Sequence, residues 1–311
     1  MLKLAALLAA TSVSQAAEIR LGIVGTDTSH VTAFAKILND STSPDYLPGA
    51  RIVAAYKGGS KDIEESSSRV DKFAEELRTK WKIDFYSDIN TLVKKVDGVL
   101  LESVDGRVHL EQVKPILAAH KPVFIDKPLA STLADALEIA RLAKAAGVPW
   151  FSASSLRYGE LGTTMKFNDA LGVTTWGPGP FEAHHQLEYS WYAIHPIELL
   201  YTLMGPGCEQ VTVMAGKDED VIVGRWKDGR VGTVRTLRPY GTYGADVFRP
   251  KGVTQSKAKT EEGYRPLLVE IIKFFETGQP PVPNAETLEM FAFMDAAQRS
   301  KAAGGAPMKL P

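Results

Sequence analysis

The chain is short of several things that would narrow its class at once. Cys208 is the only cysteine in 311 residues, so no intramolecular disulfide and no multi-cysteine metal site can form. Following Gly205-Pro206-Gly207, Cys208 reads as structural rather than nucleophilic. Net charge is -1 and no dense lysine/arginine run occurs, which removes the broad electrostatic basis for binding nucleic acid or acidic membranes. No apolar run is long enough for a permanent membrane span, and no short internal repeat or low-complexity tract is present. What the chain does have is 44% hydrophobic residues, enough for a sizeable core in one large or two ordinary domains.

Residues 1–17 stand apart from the fold. Lys3, the apolar run Leu4–Ala10 and the small residues around Ser14-Gln15-Ala16-Ala17 have the pattern of a secretory leader. Export, with a periplasmic destination, is the expectation. No twin arginine precedes the apolar run, which points to the general unfolded route.

From residue 18 to 153, short apolar strands alternate with helices. Strands are predicted at 19–25, 51–56, 97–101, 123–125 and 148–153, and helices at 29–39, 67–82, 89–95, 109–119 and 133–146. That alternation predicts an α/β domain with a doubly wound parallel sheet covered on both faces. From 154 to 311 the pattern changes. Strands are predicted at 180–186, 210–215, 221–226 and 231–237, with a hairpin turn at Lys227-Asp228-Gly229-Arg230. Helices are predicted at 192–204, 266–277 and 286–302, the last two joined through Gly278-Gln279-Pro280-Pro281-Val282-Pro283. This half predicts an α/β domain with a mostly antiparallel open sheet.

The first strand runs into Gly25-Thr26-Asp27-Thr28-Ser29-His30 and then a helix. A dinucleotide fold places its pyrophosphate there, on helix N-terminal N–H groups. The usual fingerprint has glycine at positions equivalent to 25, 27 and 30. Only Gly25 is kept, Asp27 would repel a phosphate, and His30 replaces the packing glycine. The alternative is that Thr28 or Ser29 simply caps the helix. After the second strand no carboxylate stands ready for an adenosine ribose. Lys57, Ser60 and Lys61 would suit a 2′-phosphate, or form an exposed basic loop.

Asp126-Lys127-Pro128 follows the strand Val123-Phe124-Ile125 directly. The segment resembles the Glu-Lys-Pro motif of the Gfo/Idh/MocA (glucose–fructose oxidoreductase / inositol dehydrogenase) family. Asp97-Gly98-Val99-Leu100-Leu101 with His109, Ser155-Leu156-Arg157-Tyr158 and the closing segment Pro307-Met308-Lys309-Leu310 resemble the family as well. So does Tyr192-Ala193-Ile194-His195-Pro196, although Trp191 stands where many members carry an aspartate one turn before the histidine. The resemblance spans about residue 19 to the end.

It implies a Rossmann domain, NAD or NADP as cofactor, a sugar or polyol as substrate, and a homo-oligomer formed through the open sheet. It implies that Lys127 and His195 are catalytic, with Tyr192 as a substitute acid/base. Its cofactor set is Gly25, Thr26, Asp27, Thr28, Ser29, His30, Lys57, Ser103, Asp126 and Lys127, and its substrate set Arg157, Tyr158, His184 and Trp191. A histidine has a pKa near neutrality and a buried lysine can polarise an oxygen, so the pair suits oxidation of a hydroxyl.

Other residues leave alternatives open. On a predicted strand, alternation puts Glu182 and His184 on one face, and with His195 they would make a metal site conceivable; a polar sugar-facing sheet explains them equally, and no metal is assigned. Trp176, Trp191, Tyr189 and Tyr192 would stack on sugar rings or fill the core. Arg157, Arg235 and Arg238 would bind hydroxyls or form salt bridges. Three functions follow: an NAD(P)-dependent sugar or polyol oxidoreductase, a redox-neutral glycoside-cleaving or eliminating enzyme holding its dinucleotide tightly, or a cofactor-free carbohydrate-binding relative.

Overall fold

The computed structural model describes residues 18–311. The leader expected over residues 1–17 lies outside the described residues. No helix among those described is long and apolar enough to cross a membrane.

Six strands form the first sheet: β1 (Ile19–Val24), β2 (Ala50–Tyr56), β3 (Asp84–Tyr86), β4 (Gly98–Leu101), β5 (Val123–Ile125) and β6 (Trp150–Phe151). Their order is β3-β2-β1-β4-β5-β6 and every pairing is parallel. The order reverses between β1 and β4, the place where open α/β sheets form a ligand crevice at the carboxyl ends of their strands. β4 and β5 are buried throughout, as a strand covered on both faces must be.

The helices between the strands are α1 (His30–Asn39), α2 (Glu64–Ser67), α3 (Val70–Thr79), α4 (Ile89–Leu92), α5 (His109–Ala118) and α6 (Leu133–Ala146). α1 buries Val31, Phe34, Ala35 and Leu38 against the sheet, a 3.6-residue stripe. α6 starts where Thr132 accepts the Asp135 N–H and stops at left-handed Gly147.

α7 (Glu160–Thr164) leads into a seven-stranded sheet: β7 (Gly172–Pro178), β8 (Cys208–Ala215), β9 (Glu219–Trp226), β10 (Val231–Leu237), β11 (Gly244–Arg249), β12 (Gly252–Gln255) and β13 (Met308–Lys309). The order is β12-β11-β7-β10-β9-β8-β13, antiparallel except for β7 beside β10. α8 (Ile194–Met204) is buried along its whole length, and α10 (Asn284–Ala302) packs on β8, α6 and α8. The other face stays open: Val223, Val231 and Phe248 are exposed. α9 (Arg265–Thr277) returns to the first sheet, where Leu267, Leu268, Ile271 and Phe274 join the core of Phe124 and Phe151.

Several local expectations change. The segment 180–186 is irregular, and the strand lies earlier, as β7. The last bond of its ladder runs from the Gly179 N–H to the Leu237 carbonyl, and Pro180 has no N–H to carry it on. The helix expected over 67–82 is shorter, as α3, with the unforeseen α2 before it, and the one over 89–95 stops at Leu92. β3, β11 and β12 and α7 are additions, each of six residues or fewer and held by neighbours rather than by a long periodic pattern.

Candidate active site

The turn after β1 builds one wall. Gly25 adopts φ 89, and a Cβ there would lie 2.5 Å from the backbone nitrogen of Ser103. Glycine is required because the chain after β4 crosses in contact with the turn. Thr26 donates its hydroxyl to the carbonyls of Lys57 and Val70 at 3.1 and 3.3 Å. Asp27 is fully buried. One of its oxygens accepts from the Ser66 hydroxyl (2.6 Å), the other from the Val104 N–H (3.2 Å). Burial pushes its carboxyl above the usual range, against these hydrogen bonds. The Asp27 carboxylate is thus satisfied by donors of the protein itself.

The cover over this turn is a polar network. Ser60 and Arg107 donate to Asp105 at 2.5 and 2.9 Å, His185 lies 3.3 Å from it, and Arg107 also pairs with Asp62. Burial opposes ionisation of Asp105, but the bonds from His185, Arg107 and Ser60 prevail and hold it well below the usual carboxylate range. Gly25, Thr26, Asp27 and Ser103 are therefore closed away beneath residues 57–70 and 103–107 rather than presented to a ligand. Ser103 spends its hydroxyl on Gln112 (2.9 Å). Lys57 is ion-paired with Asp71.

Beside the closed turn a cleft of about 260 Å³ remains open between the two sheets. Thr28, Ser29 and His30 line it at the start of α1, and Lys127, Trp191, Tyr192 and His195 line it from the other elements. Ser29 occupies the cap position without a side-chain cap, and Thr28 accepts from the His30 N–H at 3.4 Å. The Lys127 ammonium sits over the Tyr192 ring, 5.4 Å from its centre. The His195 ring lies 6.2 Å from that of Tyr192 and 5.7 Å from that of Tyr243.

His195 is held from behind. Its Nδ1 is 2.7 Å from the Ser154 hydroxyl. The Ser154 N–H donates to Glu198, and Arg157 bridges Glu198 and Glu286 with 2.8 Å contacts to each. Burial, then the positive charges of Lys127 and His30, hold the His195 pKa well below that of a free imidazole, so the ring is neutral at neutral pH. Tyr192 has its pKa raised, first by burial and then by Glu65, whose carboxylate its hydroxyl approaches at 3.5 Å. A neutral phenol there is a donor, not a base.

The floor joins His30 and Asp126, both expected at the cofactor, to Glu102, which the residue pattern did not single out. His30 Nδ1 is 2.6 Å from Asp126, and Glu102, immediately after β4, is 4.0 Å away and fully buried. Burial and the neighbouring Asp126 carboxylate push the Glu102 carboxyl well above its usual range. A charged residue directly after Val99-Leu100-Leu101 was the available signal. Tyr240, Tyr243, Tyr264, Glu65 and Arg69 also line the cleft, and nothing in their local sequence marks them.

Three expected substrate residues are not brought to the cleft. Arg157 is buried in its carboxylate bridge, on the far side of Ser154. Tyr158 packs into the first-sheet core. His184 is exposed and bonded to Glu182 (2.6 Å), because 180–186 is a loop and no strand alternation aims the two inward. Trp191 does reach the cleft, stacked edge-on against His185 at 4.8 Å. Arg235 and Arg238 pair with Glu219 and Asp220, and Tyr189 is core, bonded to Asp220.

The residues around the cleft fit the reacting end of a nicotinamide dinucleotide: a helix N-terminus, a lysine and a neutral histidine converge there. The turn that would cradle the pyrophosphate does not, since the buried Asp27 carboxylate stands in it, held by Ser66 and Val104, and the Thr26 N–H is spent on the Lys57 carbonyl.

Comparisons with known proteins agree with this architecture. Residues 19–154 match the Gfo/Idh/MocA family model, described as an oxidoreductase family with an NAD-binding Rossmann fold. No curated protein matches the chain significantly in sequence. Among solved structures, the chain is similar to myo-inositol dehydrogenase from Lactobacillus casei in complex with NAD(H) and myo-inositol (18% identity, TM-score 0.72, 95% of this chain and 97% of that one). It is similar to myo-inositol 2-dehydrogenase from Lactobacillus plantarum (14% identity, TM-score 0.75, 95% and 100%). It is also similar to a probable dehydrogenase from Thermotoga maritima (21% identity, TM-score 0.71, 94% and 99%). At these identities the likeness is one of fold.

Proposed function

We propose that this chain, whose residues 19–154 belong to the NAD-binding Gfo/Idh/MocA oxidoreductases, oxidises a hydroxyl of a small sugar or polyol. The observation that carries the reading is the meeting of Lys127, from the end of β5, and His195, from the start of α8, on one cleft. A bound nicotinamide supplies the hydride acceptor for such a reaction.

The chain's own residues account for the proton. His195 is neutral because it is buried beside positive charges, so Nε2, the nitrogen not held by Ser154, is free to take the hydroxyl proton. Ser154 fixes the ring through Nδ1. Lys127 places a positive charge where the oxygen becomes more negative, which lowers the cost of proton removal. Tyr192 donates and orients, and Trp191 with the tyrosine ring offers apolar surface for the face of a sugar ring. The open face of the second sheet, with Val223, Val231 and Phe248 exposed, supports self-association there.

A second reading draws on the buried Asp27 and the covered turn: a relative that binds a carbohydrate without loading a dinucleotide. Two measurements separate them. NAD(P) released on denaturing the purified protein, or turnover of polyols with added NAD(P), supports the oxidoreductase; sugar binding with neither supports the second reading. Replacing Lys127 with Met should abolish turnover with the fold intact, and full activity in that variant would overturn the assignment.

A further inference from the structure

Three neighbouring strands each deliver one ligand-type side chain to the same point. His30 opens α1 after β1, Glu102 follows β4, and Asp126 follows β5. His30 Nδ1, a Glu102 oxygen and an Asp126 oxygen all lie within 4.8 Å of one another. A second observation comes from Glu102 itself. Its side chain is wholly buried and neither carboxyl oxygen has a hydrogen-bond partner, yet it points into this cluster. A buried polar group left without a partner is destabilising, the more so if charged. Asp126 is already oriented: its other oxygen accepts the Lys127 N–H at 2.8 Å, which turns Oδ2 toward His30.

We propose that His30, Glu102 and Asp126 form a binding site for a divalent transition-metal cation, Zn²⁺ or Mn²⁺, with its remaining coordination positions facing the cleft. One imidazole and two carboxylates are donors such ions accept, whereas Mg²⁺ and Ca²⁺ favour oxygen alone. The two carboxylates balance the ion's charge. The ion takes the place now spanned by the hydrogen bond between His30 and Asp126. With metal–ligand distances of about 2.0–2.2 Å, the donors sit about 3–3.5 Å apart; His30 Nδ1 and Asp126, now 2.6 Å apart, have to separate slightly and Glu102, now 4.0 Å from His30, has to approach. His30 borders the cleft, so a sugar hydroxyl can complete the shell beside Lys127.

The test is calorimetric titration of the chelator-stripped full chain with ZnCl₂ and with MnCl₂, with no nucleotide or sugar present. One ion per chain is expected. Glu102→Gln should keep the fold, shown by an unchanged or raised Tm, and weaken binding roughly a hundredfold or more. His30→Gln should weaken it as well. Absence of binding by the wild type, or wild-type affinity in Glu102→Gln, overturns the proposal; the latter result means that Glu102 is a protonated partner of Asp126 and that the ion sits elsewhere. Because no dinucleotide enters the titration, its outcome is independent of the oxidoreductase reading.

Discussion

Replacing Arg157 with Met keeps most of the aliphatic stem and removes the charge that joins Glu198 to Glu286. The arginine side chain is 10% exposed, and the two carboxylates are 2% and 10% exposed, so solvent does little to screen what is left. Breaking a buried pair by removing one partner costs about 3–5 kcal/mol, because the other charge stays buried and unpaired. At roughly 2 °C per kcal/mol for a chain of this size, Tm should fall by about 6–10 °C.

The loss should depend on pH. Burial raises the Glu198 carboxyl above its ordinary value, and Arg157 opposes that rise. Without Arg157 it rises further, so the folded variant holds a proton that the unfolded chain has lost. The penalty therefore grows as pH climbs above the unfolded carboxylate pKa and shrinks at pH 5 relative to pH 8. Calorimetric scans at both pH values check this, and Arg157→Met with Glu198→Gln should recover part of the loss. An unchanged Tm together with a raised KM for the sugar would refute the reasoning and return Arg157 to the substrate.

Ser154→Ala removes the hydroxyl that holds His195 Nδ1, so kcat should fall about tenfold or more with KM little changed, and the acid limb of the pH–rate profile should move; equal loss in both parameters would indicate a merely structural role. Asp27→Gly takes a buried charge from the turn and should tighten NAD binding roughly tenfold or more, while costing about 1–3 kcal/mol through the unpaired Ser66 hydroxyl and Val104 N–H; unchanged affinity by fluorescence titration would mean that the turn stays shut for another reason. His195 is held below its unfolded pKa, so the unfolded chain binds the extra proton as pH drops below about 6.5 and wild-type stability falls there. Tm of His195→Asn, which cannot titrate, should therefore gain on wild type between pH 7 and pH 5, and parallel curves would contradict the buried neutral imidazole.

The sequence by itself determined what repeats along a chain. Apolar strands alternating with amphipathic helices specify a parallel sheet, because only crossover helices can join such strands and cover both faces. Gly25, Lys127 and His195 were legible since each ends or begins a regular element, where the register of side chains is known. The hairpin between β9 and β10 was legible for the same local reason. Tertiary structure alone decided what the cleft became. Glu102 meets His30 and Asp126 only because β1, β4 and β5 lie side by side, and sequence separation hides that adjacency. Arg157 looked available for a substrate until its two carboxylates, from α8 and α10, closed on it. Asp27 read as a residue facing a phosphate; in the fold it faces Ser66 and Val104, since burying a carboxylate demands hydrogen-bond donors and the segments 57–70 and 103–107 bring them.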